Sequence, residues 1–220
     1  TVSSPGTLGG ALLLAALATT TLGCALTSKS EPLAPRYFSP ERGGEGDAAG
    51  APVNASALEL RLGRVTGASY LDERLVYRDS RYELGYYQER RWTEEPARYL
   101  ARRLARVLFE QRGIRQVVGG AAPTLEVELT AFEEIRAPSP IVRVGVVVKL
   151  HDQRVVRWAE TLTVEQPIVV KAGGDLPDAT VEALAAALRG AVDRIADRVL
   201  LELAASPPAE PGAGPGRPGR

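Results

Sequence analysis

The residue with the clearest chemical role in this 220-residue chain is Cys24, its only cysteine. A lone cysteine cannot form a disulfide within the chain, but its thiol can be acylated. Cys24 follows the small residue Gly23 at the end of a short apolar stretch, the setting in which bacterial lipoproteins are acylated. The usual leucine three residues before such a cysteine is Thr21 in this chain. We predict that Cys24 is the lipidated first residue of the mature protein.

Residues 1–23 are interpreted as a lipoprotein signal peptide. The apolar run from Leu8 to Ala18 is shorter than the about 20 residues that a transmembrane helix needs, but it fits the h-region of an export signal. The chain has no methionine and begins at Thr1, so we expect the natural N-terminus to lie upstream. Two alternatives stay open: an uncleaved anchor extending to Leu26, or an ordinary secretory signal with an incidental Cys24.

Other side chains offer little for catalysis or metal binding. His151 is the only histidine, and we place it in a solvated turn beside Asp152 rather than in the role of a general base. One His and one Cys supply few ligands for zinc or iron. Glu133 and Glu134 are strand neighbours that point to opposite faces, so they cannot act as a pair. The sequence therefore predicts no enzyme, no metal and no cofactor.

Three aromatic residues are candidates for contact with a partner protein: Tyr86, Tyr87 and Trp92. Tyrosine and tryptophan are enriched at protein interfaces, although packing against the predicted helices explains them equally well. The 27 basic and 27 acidic side chains balance, so net charge indicates no nucleic-acid partner.

A basic stripe recurs at every fourth residue, at Arg98, Arg102 and Arg106. We interpret it as a solvated helix face balanced by ion pairs, such as Glu94 with Arg98. A site for lipid headgroups or an acidic partner is the alternative.

Composition divides the remaining chain into three parts. Residues 24–55 hold the lipidated terminus and a Gly/Ala-rich linker, and we expect residues 25–55 to tether the anchor to the domain. Residues 56–205 have the size of one domain. Residues 206–220 are rich in Pro and Gly, so we predict a disordered tail.

Periodicity within residues 56–205 predicts strands, a helix, further strands and a last helix. Alternating apolar residues predict strands near residues 57–62, 75–78, 82–87, 125–131, 141–150 and 155–170. A helical stripe runs from Thr93, the predicted N-cap, to about Gln111, and a second runs from near Asp175 to residue 205. This order predicts an α+β fold, with a mainly antiparallel sheet and both helices packed on one face.

The helix phase gives three specific expectations. Leu104 and Leu188 are central to the two apolar stripes, so we expect both side chains to be buried against the sheet. Arg102 falls on the opposite side of its helix and is expected to be exposed.

The segment from Val76 to Phe109 resembles the ABC-type transport auxiliary lipoprotein family, whose members accompany MCE-type lipid transport systems. Members typically show a Tyr-Arg hairpin, an aromatic-rich strand, and a Trp and Pro that open a leucine-spaced helix. The matching residues here are Tyr77, Arg78, Tyr86, Tyr87, Trp92, Pro96, Leu100, Leu104 and Leu108. Residues 36–38 are similar to the family's first aromatic strand, and the resemblance extends from Cys24 to about Leu203.

This resemblance implies a non-enzymatic, lipid-anchored subunit that binds an MCE-domain protein, with self-association left open. Ala25 follows Cys24, where lipoproteins retained at the inner membrane commonly have Asp. We therefore expect the periplasmic face of the outer membrane of a Gram-negative bacterium. An outer-membrane assembly or chaperone lipoprotein is the main alternative, and a periplasmic enzyme is disfavoured by the single histidine.

Overall fold

The computed structural model of the protein describes residues 1, 34–41 and 57–205. Cys24, the predicted signal peptide and the predicted tail lie outside the described residues, as does most of the predicted linker. The described residues from Pro35 to Ala205 belong to one compact unit. Its described part contains eight strands and two α-helices.

The strands are β1 (Arg36–Phe38), β2 (Glu59–Gly67), β3 (Arg74–Arg78), β4 (Leu84–Trp92), β5 (Arg115–Gln116), β6 (Thr124–Ile135), β7 (Ile141–His151) and β8 (Val156–Pro167). The helices are α1 (Pro96–Ala105), which continues as a π-helical segment over Arg106–Gln111, and α2 (Leu176–Ala205). Neither α-helix in these ranges is long and apolar enough to cross a membrane.

Strand β6 organises the sheet because it is paired along both edges. One edge pairs with antiparallel β7 from Thr124 to Ile135, and β7 pairs with antiparallel β8. The other edge pairs first with β2 and then with β3, both parallel to β6. Strands β2 and β3 therefore follow one another along a single edge of β6.

The hairpin of β3 and β4 extends the sheet beyond β6. Strand β4 is antiparallel to β3, β1 is parallel to β4, and β5 is parallel to β2. The predicted α+β class is confirmed, and the two longest strand pairings are antiparallel. The shorter pairings add parallel strands that the sequence did not reveal.

One face of the central strands forms the core beneath the helices. Leu125 lies opposite Leu150, and Val127 lies opposite Val148, and these four side chains are at most 2% exposed. Helix α1 packs on β2 and β6, whereas α2 packs mainly on β7 and β8. Side chains that point to the other face of the sheet, such as Lys149, remain exposed. This is expected for a sheet with one covered face.

A β-bulge between Leu129 and Ala131 changes which side chains of β6 face the core. After the bulge, Phe132 takes the position opposite Val144 and is 1% exposed. Regular alternation along the strand predicted near residues 125–131 would put Ala131 on the same face as Leu129, and the bulge moves it to the other face. Ala131 lies against Gly145. A Cβ added at position 145 would come within 3.2 Å of the Ala131 Cβ.

Helix α1 begins later than its predicted N-cap. Glu95 occupies the cap position without a side-chain cap hydrogen bond, and Pro96 is the first helical residue. Thr93, the predicted cap, instead places its hydroxyl 2.7 Å from that of Tyr99. Proline suits the first helical turn because its fixed φ is helical and its missing N–H has no partner there in any case.

Strand β1 is part of the sheet. Phe38 is only 9% exposed, and its carbonyl accepts a hydrogen bond of 3.0 Å from the N–H of Thr93. The chain between Cys24 and the sheet is therefore shorter than the tether of residues 25–55 expected from the sequence.

Truncation of the central leucines tests the helix packing. Leu104 and Leu188 are 0% and 3% exposed, so Leu104→Ala or Leu188→Ala should each lower the free energy of unfolding by about 2–5 kcal/mol. Leu201 is 63% exposed, and Leu201→Ala should change it by less than about 0.5 kcal/mol. Urea denaturation followed by circular dichroism measures all three. Equal losses at Leu201 and Leu188 would contradict the packing of α2.

Candidate functional site

Two of the predicted contact residues, Tyr86 and Tyr87, are neighbours on β4 and contact different arginines. The Arg74 guanidinium lies 3.8 Å from the centroid of the Tyr86 ring. The Tyr86 hydroxyl donates a hydrogen bond of 3.3 Å to the carbonyl of Tyr70. The ring is half-buried, so it combines a fixed position with an accessible surface.

Tyr87 lies in a second cluster of tyrosine and arginine side chains. The guanidinium groups of Arg90 and Arg136 lie 3.9 and 4.9 Å from its ring centroid, within range of cation–π attraction. Tyr77 packs against it edge-on, with 5.0 Å between ring centroids. The Tyr77 ring covers Gly85, and a Cβ added at position 85 would come within 2.4 Å of that ring. The cluster therefore depends on a glycine at position 85.

The Tyr87 hydroxyl is held by a buried carboxylate. It donates a hydrogen bond of 2.8 Å to Oε2 of Glu134, a residue that is 3% exposed. Burial raises the pKa of the Tyr87 phenol above its ordinary value; Arg136 acts against this shift, and Glu134 adds to it. Because the phenol stays protonated, it remains a donor to Glu134 at neutral pH.

The adjacent carboxylate, Glu133, is buried with different partners. It is 1% exposed and accepts hydrogen bonds of 3.1 and 3.0 Å from Nε and Nη2 of Arg78. Nη1 of Arg143 lies 3.7 Å away, and the same arginine donates to Glu165 at 2.9 Å. The contact with Glu133 raises the pKa of Arg78. Glu133 and Glu134 therefore have separate partners, Arg78 and Tyr87.

Trp92, the third predicted contact residue, lies in the core. Its side chain is 1% exposed and packs against Phe132 and Tyr99, with ring centroids 5.1 and 6.4 Å apart. This position matches the packing alternative for the aromatic residues.

The basic stripe on α1 is paired with acidic side chains. Arg102 donates to Glu41 at 2.8 Å and also to Glu94, and the bonds to these carboxylates raise its pKa. Arg106 lies 3.9 Å from Glu110. Glu94 thus pairs with Arg102 rather than with Arg98 as in the predicted example. The pairing supports a solvated, neutralised face.

His151 is the last residue of β7, directly before the turn in which we expected it. Its Nδ1 lies 2.9 Å from the carbonyl oxygen of Asp152, and its Nε2 lies 3.9 Å from Glu126. Within residues 34–41 and 57–205, no cluster of three His, Cys, Asp or Glu side chains could hold a metal ion.

The sequence reasoning missed the arginines that cover the tyrosines. Arg74, Arg90 and Arg136 belong to two strands and a loop, so only the register of β3, β4 and β6 brings them to Tyr86 and Tyr87. A local signal existed in the run of Phe132, Glu133, Glu134 and Ile135, where two carboxylates follow an otherwise apolar strand. Charges within such a strand indicate buried ion pairs or hydrogen bonds.

Removal of Arg78 tests the importance of the Glu133 pair. Arg78→Leu leaves a buried carboxylate without its main partner, which should lower the free energy of unfolding by about 3–5 kcal/mol. Arg143→Leu removes a more distant and more exposed arginine, so the loss should stay near 1 kcal/mol or below. Denaturant titration measures both. Losses of equal size would show that Arg78 has no special role.

Comparison with known proteins places this architecture in a family. The model of the family described as "ABC-type transport auxiliary lipoprotein component" matches residues 45–197 of the chain. A search of curated proteins finds no match.

Two solved structures share the fold. The crystal structure of protein XCC0632 from Xanthomonas campestris has a TM-score of 0.56 and 20% identity, covering 66% of this chain and 84% of that chain. A protein titled only as uncharacterized has a TM-score of 0.58 and 18% identity, covering 76% of this chain and 99% of its own. Because the family model matches more than half of the sequence, the chain belongs to the ABC-type transport auxiliary lipoprotein family.

Proposed function

We propose that the protein is a non-enzymatic subunit of an MCE-type lipid transport system, anchored by Cys24 to the periplasmic face of the outer membrane. The match of residues 45–197 to the family of ABC-type transport auxiliary lipoproteins is the observation that carries this proposal. The MCE partner follows from the resemblance of the segment from Val76 to Phe109.

The proposed anchor rests on the chemistry of Cys24. It is the only cysteine, it follows a small residue at the end of an apolar stretch, and it precedes Ala25. Each acyl chain contributes about 0.8 kcal/mol per buried CH₂, and two or more chains give a lasting anchor. A subunit held in this way needs no transmembrane helix of its own.

A role without turnover is supported by how the ionisable side chains are used. The buried carboxylates Glu133 and Glu134 are bound by Arg78 and Tyr87. The only histidine contacts the carbonyl of the next residue. Side chains bound in this way have a structural role in the sheet.

The β3–β4 hairpin is the proposed docking element for the partner, with Tyr86 and Tyr87 on its opposite faces because they are consecutive residues of β4. Tyr86 and Tyr87 are half-buried, and arginines stack on both rings. Tyrosine and arginine dominate the binding energy of many interfaces, because a large rigid ring or a planar guanidinium loses little entropy on binding. The stacked pairs already hold these side chains in place.

The anchor is tested by replacing the cysteine. Cys24→Ser removes the acylated atom, so the protein should become soluble or accumulate as an unprocessed precursor. Ala25→Ser, a matched change at the next residue, should keep the wild-type distribution. Membrane fractionation and mass spectrometry of the N-terminal peptide measure the result. If Cys24→Ser is processed and fractionates like the wild type, Cys24 is not the anchor.

The partner is tested by crosslinking the lipid-anchored protein in cells that express its cognate operon. We expect an MCE-domain protein to be recovered. Tyr86→Ala or Tyr87→Ala should reduce its recovery about five-fold or more, since truncating a central interface tyrosine costs over about 1 kcal/mol.

Tyr37→Ala is the control, because Tyr37 is 60% exposed but lies outside the hairpin. Circular dichroism establishes that the variants are folded. Recovery of no MCE-domain protein, with crosslinkers of several lengths, would contradict the proposal and favour an outer-membrane assembly factor.

A further inference from the structure

Several connections of the sheet lie at one end of the domain. Arg78 pairs with Leu84 across the hairpin and with Ile135 at the end of β6. Ile135 pairs with Ile141, which pairs with Pro167 at the end of β8. We call this end of the sheet the Tyr82 end, and three connections project from it: residues 79–83, 136–140 and 168–175.

Exposed apolar side chains are found on these connections. Tyr82 is 89% exposed at the tip of the hairpin, and Val169 and Val170 are 65% and 48% exposed after β8. The guanidinium of Arg81 lies 5.9 Å from the centroid of the Tyr82 ring. A tyrosine with an apolar body and a polar tip, beside an arginine and aliphatic side chains, suits the interface between membrane and water.

The chain enters the sheet from the side of the Tyr82 end. Strand β4 starts at Leu84 beside this end and runs away from it, and β1 runs parallel to β4 with Arg36 opposite Arg90. Pro35 therefore precedes β1 on the side of the Tyr82 end. Nη1 of Arg36 also bonds to Asp175 at 3.0 Å, which ties β1 to the connection that carries Val169.

The distance from the anchor to β1 is short. Cys24 precedes Arg36 by 12 residues, a separation that spans at most about 40 Å even when fully extended. A lipid on Cys24 would hold the entry to β1, which is on the side of β1 that faces the Tyr82 end, within this distance of the bilayer.

We propose that the Tyr82 end rests on the phospholipid bilayer, with Tyr82 and Val169 inserted to the depth where the headgroups meet the acyl chains. This inference rests on the proposed anchor at Cys24, and it deepens that proposal by assigning the face of the domain that meets lipid. The hairpin surface around Tyr86 and Tyr87 would then lie close to the membrane, beside the tip that inserts.

Exposure alone does not select this end, because Val155 and Val156 are 61% and 51% exposed at the other end of β8. Strand β8 has 12 residues, so the two ends are about 40 Å apart at about 3.3 Å per residue. The direction of chain entry distinguishes them. Val155 therefore provides a control with nearly the same exposure as Val169.

The test uses tryptophan as a depth probe in the intact protein, purified from bacterial envelopes and reconstituted into phosphatidylethanolamine/phosphatidylglycerol vesicles with brominated acyl chains. Bromine quenches tryptophan that reaches the acyl chains. The native Trp92 and Trp158 are 1% and 8% exposed, so they supply a constant background. We expect Tyr82→Trp and Val169→Trp to be quenched at least two-fold more than this background, and Val155→Trp to match it.

Two outcomes would overturn the inference. Absence of added quenching in both Tyr82→Trp and Val169→Trp would show that the Tyr82 end is away from lipid and free for a protein partner. Equal quenching in Val155→Trp would show that the domain has no preferred orientation.

Failure of the anchor itself is detected separately, by mass spectrometry of the same preparation. If Cys24 is not acylated, the proposed lipoprotein function fails, and the sole cysteine is coupled instead to a maleimide lipid in the vesicles. The same quenching comparison then decides the orientation on its own, because the chemical tether replaces the natural one.

Discussion

The position of the β3–β4 hairpin depends on two adjacent buried carboxylates of β6. Glu133 and Glu134 are 1% and 3% exposed, and a carboxylate buried without a partner is strongly unfavourable. Arg78 of β3 bonds to the first, and Tyr87 of β4 bonds to the second. The ladder between β3 and β6 covers only the positions of Val76 to Arg78, so these side-chain bonds reinforce a short pairing.

The same hairpin connects the proposed anchor to the rest of the sheet. Strand β1 follows the segment from Cys24 and pairs only with β4 among the described strands. Residues that we propose to meet a partner, Tyr86 and Tyr87, lie on β4, and Tyr82 lies at its tip. A lipid-anchored subunit would therefore present its membrane contact and its docking surface on one element, with the helices and the central strands as the support.

The sequence predicts those parts of the fold that depend on local periodicity. The burial of Leu104 and Leu188 and the strands predicted near residues 75–78 and 82–87 follow from local patterns, and the structure confirms them. The parallel pairing of β2 and β3 with β6 joins distant segments, which no local pattern specifies. The bulge between Leu129 and Ala131 is likewise set by the fit of neighbouring strands rather than by the sequence of β6 alone.

The family could be recognised from the sequence because the Tyr-Arg and Trp-Pro residues lie close together along the chain. The contacts of Tyr86 and Tyr87 could not be predicted, because they depend on the register of three strands.

The central claim, that the hairpin docks an MCE-domain subunit, is tested most directly by a photoreactive amino acid in place of Tyr86 in living cells. Irradiation should join this position to an MCE-domain protein. Adducts only with other envelope proteins, from a variant that is folded and lipid-anchored, would contradict the account.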